Sequence, residues 1–183
     1  MKVAMEKRED RRIMMTKRML KDALIEMLKE KDIYHISIRE LCERADVNRT
    51  TFYKYYGSQF DLLTDMENDM IEFLTKTIKS NEADPEKIIS SACNYLEGNI
   101  DFARLIINNN VDPSFAHKLF TMDCIKESAL KKFAGNKSEA ELEYIYNFLV
   151  YGAFRMVCVW LSKEERESPE AFAKLINQMM LNT

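Results

Sequence analysis

Between Ser37 and Tyr56 the chain reads SIRELCERADVNRTTFYKYY, and the caps and turn packed into that stretch restrict it to two short helices meeting at a bend. Ser37 and Glu40 have the spacing of a capping box, in which the serine hydroxyl accepts from the amide three residues on and the carboxylate returns to the cap amide. A helix therefore starts at Ile38, with Leu41, Cys42 and Ala45 facing inward. Asp46-Val47 makes the turn, and Asn48 is a natural cap for a second helix over about Arg49 to Tyr55. Two helices of about two turns joined by a three-to-four-residue turn have helix-turn-helix proportions.

The rest of the chain has little that would interrupt helices. Its 183 residues include only 4 Gly and 3 Pro, no run alternates cleanly between apolar and polar, and no Asn-Gly or Asp-Gly hairpin occurs. An all-α protein of about nine helices is expected. Residues 1–12 are charged and read as a flexible arm or frayed first turn. Met19, Leu20, Ala23, Leu24, Met27 and Leu28 then mark an amphipathic helix from Thr16 to about Lys31. After Gly57, a capping-box-like Ser58/Asp61 pair opens a long helix to about Lys79, followed by a loop over 81–84. Further helices are expected over Pro85–Glu97, Ile100–Asn108, Pro113–Ala134, Ser138–Ser162 and Pro169–Leu181, with breaks at 98–99, 108–110, 112–113, 135–136 and 168–169. The expected division is a head, 1–57, and a body, 58–183.

The second short helix carries residue types that suit DNA. Thr50 and Thr51 offer hydroxyl and methyl groups to base edges, and Arg49 can grip guanine or a phosphate. Tyr53, Lys54 and Tyr55 add donors for phosphate oxygens, whereas Phe52 is the apolar anchor beneath them. Charge is split to match. The net charge is −3, but residues 1–57 hold 14 Lys and Arg against 10 Asp and Glu, while the remainder holds 13 against 20. A basic head on an acidic body fits a chain that meets phosphate at one end.

From Ile36 to Leu63 the run ISIRELCERADVNRTTFYKYYGSQFDLL resembles the DNA-binding domain of the TetR family of regulators. The resemblance covers about the first 65 residues. It implies a three-helix head, a fourth helix leading to a helical ligand-binding and dimerisation body, and a homodimer that represses from a near-palindromic operator. By the same resemblance Ser37 and Tyr53 hold phosphates, with Asn48, Arg49, Thr50, Thr51 and Tyr55 facing the groove. Three positions depart from the family pattern: Asp46 stands for the usual Gly, Gln59 for Lys, and Tyr56 for a common Phe. Asp enters the left-handed region more readily than most residues, so the turn survives. A transcriptional activator of the same fold is the alternative, and a helical interaction module without DNA binding the third reading.

In the body, Leu142, Ile145, Leu149, Gly152, Met156 and Val159 recur at helical spacing, as do Phe172, Leu175, Ile176 and Met179. The resemblance assigns a four-helix dimer interface to these last two helices, and intramolecular core is the other reading of the same stripes. Phe73, Tyr95, Phe102, Phe120, Tyr144, Phe148 and Tyr151 are expected either to fill a core or to line a pocket for a small hydrophobic or aromatic effector. Cys42, Cys93, Cys124 and Cys158 are widely spaced, and neither His35 nor His117 forms a metal spacing with them. Neither a metal nor a cofactor is expected. The sequence has no Gly-rich phosphate loop, GxSxG or HExxH, so an enzyme is not expected. No run of 18 apolar residues occurs, and the expectation is a cytoplasmic protein with no membrane partner.

Overall fold

Capping chemistry sets the helix starts. In a computed structural model, which describes residues 2–81, 84–107, 111–133, 135 and 137–181, Ser37 and Ser138 each open a helix through a complete capping box, and Asp84 caps a helix with Pro85 in its first turn. The helices are α1 Lys2–Leu28, α2 Ile38–Arg44, α3 Arg49–Tyr53, α4 Gln59–Ser80 and α5 Pro85–Gly98. They continue with α6 Ile100–Ile107, α7 Phe115–Phe120, α8 Asp123–Leu130, α9 Glu139–Ser162 and α10 Pro169–Leu181. Short 3-10 turns cover Ile33–His35 and Lys131–Phe133. No strand occurs among the described residues, and the fold is all-α.

Two helices differ from expectation. α1 begins at Lys2 instead of Thr16, so the charged segment is helical. Lys, Arg, Glu and Met are strong helix formers, and no Gly or Pro interrupts them. The single helix expected over Pro113–Ala134 is split at Thr121-Met122. There the Thr121 hydroxyl donates to the carbonyls of His117 and Lys118, and Met122 turns extended at ψ 122°. A threonine that bonds back to its own turn competes with helix propagation. The breaks expected at 108–110 and at Asn136 lie outside the described residues, as do positions 82 and 83 of the expected loop.

The chain forms two compact units, residues 1–69 and 70–183, and the division falls inside α4. The first unit closes around Leu20, Leu24, Leu41, Phe52 and Leu62, none with exposed surface. In the second, α5 lies along α10, while α6, α8 and α10 pack on α9. Its centre is Trp160, stacked on Phe172 at 5.0 Å and 6° between planes. The indole N–H donates to the Glu167 carbonyl at 2.9 Å, and Arg166 sits 5.4 Å over the ring while reaching Glu97 at 3.2 Å. Arg104 donates to the Leu161 and Lys163 carbonyls at 2.8 and 3.2 Å, satisfying groups left open at the end of α9.

α9 is also long and apolar enough, by length and composition, to cross a membrane. Its burial within the second unit accounts for only one side of that apolar surface.

Because Trp160 combines a ring stack, an indole hydrogen bond and a cation contact, Trp160→Ala is expected to cost the second unit about 3–5 kcal/mol. Trp160→Phe, which keeps the stack and loses the N–H, is expected to cost about 1 kcal/mol from the hydrogen bond. Urea unfolding of the two variants measures the difference.

Candidate functional site

The apolar anchor organises the short second helix. Phe52 has no exposed surface, meets the Tyr53 ring edge-on at 5.5 Å and lies 5.7 Å from the Tyr56 ring. Asn48 Oδ1 accepts from the Thr50 amide at 2.8 Å and starts α3 at Arg49. With Phe52 turned inward, Thr50, Tyr53 and Lys54 fall on the far side of the helix, while Asn48 and Arg49 are exposed at its N-terminal end. All five line one groove whose opposite wall is α2 and the turn. Thr51 and Tyr55 sit beside it half-buried, with the Lys54 ammonium 5.7 Å from the Tyr55 ring centre.

The groove includes residues that the sequence reading did not single out. Arg39 and Glu43, ion-paired at 3.7 Å, line it from α2 together with Asp46 and Val47 of the turn. Their signal was their spacing: Arg39 and Glu43, four residues apart, share one face of α2. Asp46 itself adopts φ 51°, in the left-handed region.

Ser37 is differently placed. Its hydroxyl donates to Glu40 Oε2 at 2.7 Å and its amide donates to the same carboxylate at 3.2 Å, so both groups are engaged in the cap. Lys31 approaches Glu40 at 3.1 Å from the other side. These bonds, with the Ser37 hydroxyl first, hold the Glu40 carboxyl down at about 2. A lowered carboxylate pKa means the cap contributes fully above the ordinary value of 4.5 and weakens as pH falls from there toward about 2.

A polar cluster fastens Tyr56, just after α3, to α1 and α4. The Tyr56 hydroxyl donates to Asp65 at 2.8 Å, and Lys21 of α1 bridges Asp65 and Asp69 of α4 at 2.8 and 2.6 Å. Lys17 adds a contact to Asp65 at 3.6 Å and lies 5.3 Å over the Tyr56 ring. Burial by itself would raise the Asp65 carboxyl, but hydrogen bonds from Lys21 and Tyr56 outweigh it and the pKa falls below 3.8. Burial would likewise lower the Lys21 ammonium, and the two aspartates reverse that, raising it above 10.5. Asp65 loses its contribution only as pH falls below its ordinary range and Lys21 only as pH rises above its own, so the cluster is intact through neutrality.

The residues after α3 complete the frame. Asp61 accepts from the Gly57 amide at 2.9 Å, and a Cβ on Gly57 would stand 2.9 Å from that same oxygen, so a larger residue there would displace the Asp61 carboxylate. Gln59 donates its amide to the Ile33 carbonyl at 3.4 Å, joining the start of α4 to the turn before α2.

In the second unit α9 presents different faces from those its sequence pattern suggested. Leu149 and Phe172, expected at a dimer interface, are buried in the core; Leu142, Ile145 and Met156 are half-buried; Gly152, Leu175 and Met179 are exposed. Val159, of the expected stripe, is exposed; the outward stripe before it is Tyr144, 77% exposed, Phe148, 67% exposed, and Tyr151. It is rotated from the expected stripe by ~100°, one residue of helix. Three of these aromatics were expected around a pocket. Of the other four, Phe102 is core, Phe73 and Tyr95 stack on each other at 4.2 Å, and Phe120 lines a cavity of about 630 Å³ bounded by α4, α5, α7, α8, α9 and α10. The remaining cavity wall is mainly aliphatic.

Comparison with known proteins agrees with this architecture at both ends of the chain. Residues 20–66 match the family description "Bacterial regulatory proteins, tetR family", and residues 83–182 match TetR_C_8, "Transcriptional regulator C-terminal region". YxbF of Bacillus subtilis (strain 168), named an uncharacterized HTH-type transcriptional regulator, is 23% identical over 171 residues. That match covers 88% of this chain and 43% of YxbF, so the chain spans less than half of that relative. A crystal structure of a TetR transcriptional regulator from Streptococcus agalactiae 2603V superimposes with a TM-score of 0.67 at 22% identity, covering 94% of this chain and 97% of that one. The dihydroxyacetone kinase operon activator DhaS does so with a TM-score of 0.64 at 19% identity, over 91% and 94%. At such identities the structural likeness establishes the fold.

The left-handed Asp46 gives a direct test of the turn. Asp46→Gly is expected to stabilise the first unit by about 0.5–1 kcal/mol, because glycine has no Cβ to clash there. Asp46→Val is expected to destabilise it by more than that. Thermal unfolding reads both signs.

Proposed function

Because the chain belongs to the tetR family of bacterial regulatory proteins, we propose that it acts as a homodimer on a near-palindromic operator, repressing transcription until a small apolar effector loosens its hold. The observation that carries the DNA half of this reading is the outward face of α3. Asn48, Arg49, Thr50, Tyr53 and Lys54 combine base-reading and phosphate-binding chemistry in one groove, with Phe52 buried beneath. Major-groove entry by two copies requires heads one helical turn apart, about 34 Å.

Pairing is supported by the exposed face of α9 and α10. Tyr144, Phe148, Tyr151, Val159, Leu175 and Met179 leave large apolar side chains exposed on these two helices. A second copy of the same two helices would cover them in a self-complementary way. The same pairing accounts for the apolar character of α9 in a cytoplasmic protein. The cavity of the second unit supports an effector site. An effector that distinguishes two states by a few kcal/mol is enough to shift the population off the operator.

Activation is the second reading, favoured by one fact: DhaS, of similar fold, is by name an operon activator. Whether bound protein blocks or recruits transcription depends on where the operator lies, and a reporter fused to the operator with and without this chain separates the two.

The test of DNA binding is a mobility shift with the DNA upstream of the chain's own gene. A salt-sensitive complex that competing random DNA does not remove is expected; the absence of one overturns the reading. Tyr53→Ala should weaken cognate and random DNA alike, whereas Thr50→Ala should alter the preference among single-base operator variants by about 1 kcal/mol. Sedimentation should give a dimer for the native chain and a monomer for Phe148→Lys, which places a charge in the proposed interface.

A further inference from the structure

The cavity of the second unit has a chemistry more specific than its size. Its wall is hydrocarbon from several sides, including Ile88, Ile89 and Leu96 of α5, Val150 and Val157 of α9, and Ile176 of α10. Two rings reach it, Phe120 and Phe154, and they are already engaged: they meet edge-on at 5.2 Å, and Phe120 also contacts Tyr151 at 4.6 Å. No Asp, Glu, Arg, His, Tyr or Trp is among the described lining residues. A sugar, nucleotide or amino acid, whose many polar groups each need a partner once buried, does not fit such a wall.

The polar atoms present are few and lie apart. Cys93 is buried in the wall, and burial foremost, with Glu170 and Glu97 behind it, pushes its thiol up to about 12, the behaviour of a site of low polarity. The Asn177 amide is turned to Glu86 at 3.3 Å. Ser128 and Lys131 stand three residues apart where α8 passes into its 3-10 turn, and Lys131 is exposed. They form one polar spot at the edge of an otherwise hydrocarbon space.

An apolar cavity in which the exposed Lys131 is the one charged residue among the described lining suits an amphiphile with one anionic head. We propose that the cavity takes the chain of a free fatty acid, its tail along α5 and α9 and its carboxylate at Lys131 and Ser128. An ammonium carries three donors, so Lys131 receives the carboxylate beside the partner it already has. The α9 residues of the cavity wall lie roughly opposite the exposed Tyr144-Phe148-Tyr151 stripe, so the lipid enters without crossing that face.

The effect on DNA rests on the regulator reading, but binding stands on the cavity alone. Calorimetric titration of the full chain with dodecanoate below its micellar concentration should give one saturable site per chain. Dodecanol should bind more weakly, and dodecyltrimethylammonium should fail to compete with dodecanoate. Lys131→Gln should weaken dodecanoate about fivefold and leave dodecanol unchanged. Ala153→Trp and, separately, Ala129→Phe fill the space and should abolish binding of both while the thermal midpoint stays near native; two variants are used so that a folding failure in one leaves the other decisive. Absence of saturable dodecanoate binding, equal competition by the cationic surfactant, or full binding in a folded cavity-filled variant would overturn the proposal. Operator binding by lipid-free protein, run in parallel by mobility shift, keeps the two claims apart. A chain that shifts the operator but ignores dodecanoate contradicts the fatty-acid site alone.

Discussion

With no surface left to solvent, Phe52 is the contact on which the groove of the first unit depends. α3 has only five residues, too few to be stable as an isolated helix. It exists because Asn48 caps it and Phe52 is held against the core beside Tyr53 and Tyr56. Burying that ring fixes the rotation of the helix, and the rotation decides which polar side chains share a groove. Tyr56 then carries the constraint outward through Asp65 to Lys21, so α1 and the start of α4 stabilise the same orientation.

A second constraint acts on α9. A helix apolar on nearly all sides must have more than one apolar neighbour. One sector meets the core at Leu149 and Trp160, an adjoining sector lines the cavity through Val150, Ala153 and Val157, and the far side is exposed through Tyr144 and Phe148. Arg104, reaching the carbonyls at its end, anchors the helix within its own unit. Homodimerisation gives the exposed sector its partner in the proposed account.

These two helices also mark what the sequence revealed and where it stopped. The caps at Ser37, Asn48, Asp84 and Ser138 are local hydrogen-bond patterns, and local patterns are written in adjacent residues. Asp46 in the left-handed region follows from the same kind of signal. The all-α fold followed from scarce breakers and helical periodicity. Around α9 periodicity lost its power: with apolar residues on every side, several stripes satisfy the same spacing, and the one chosen lay one residue from the exposed face. Tertiary packing made that choice, burying Leu149 and leaving Phe148 outside. The engagement of Ser37 by Glu40 was legible in the sequence as a capping box. The wall of the cavity was hidden for a related reason. It is assembled mostly from aliphatic residues scattered over six helices, and their spacing in sequence resembles that of ordinary core.

The central claim is that the α3 face reads DNA as one half of a symmetric pair. Hydroxyl-radical footprinting of the full chain on its operator tests this at base-pair resolution. The account predicts protected patches centred one helical turn, about 10 base pairs, apart or a multiple of that, arranged symmetrically about a dyad. A single isolated patch, or uniform protection without a dyad, would contradict it.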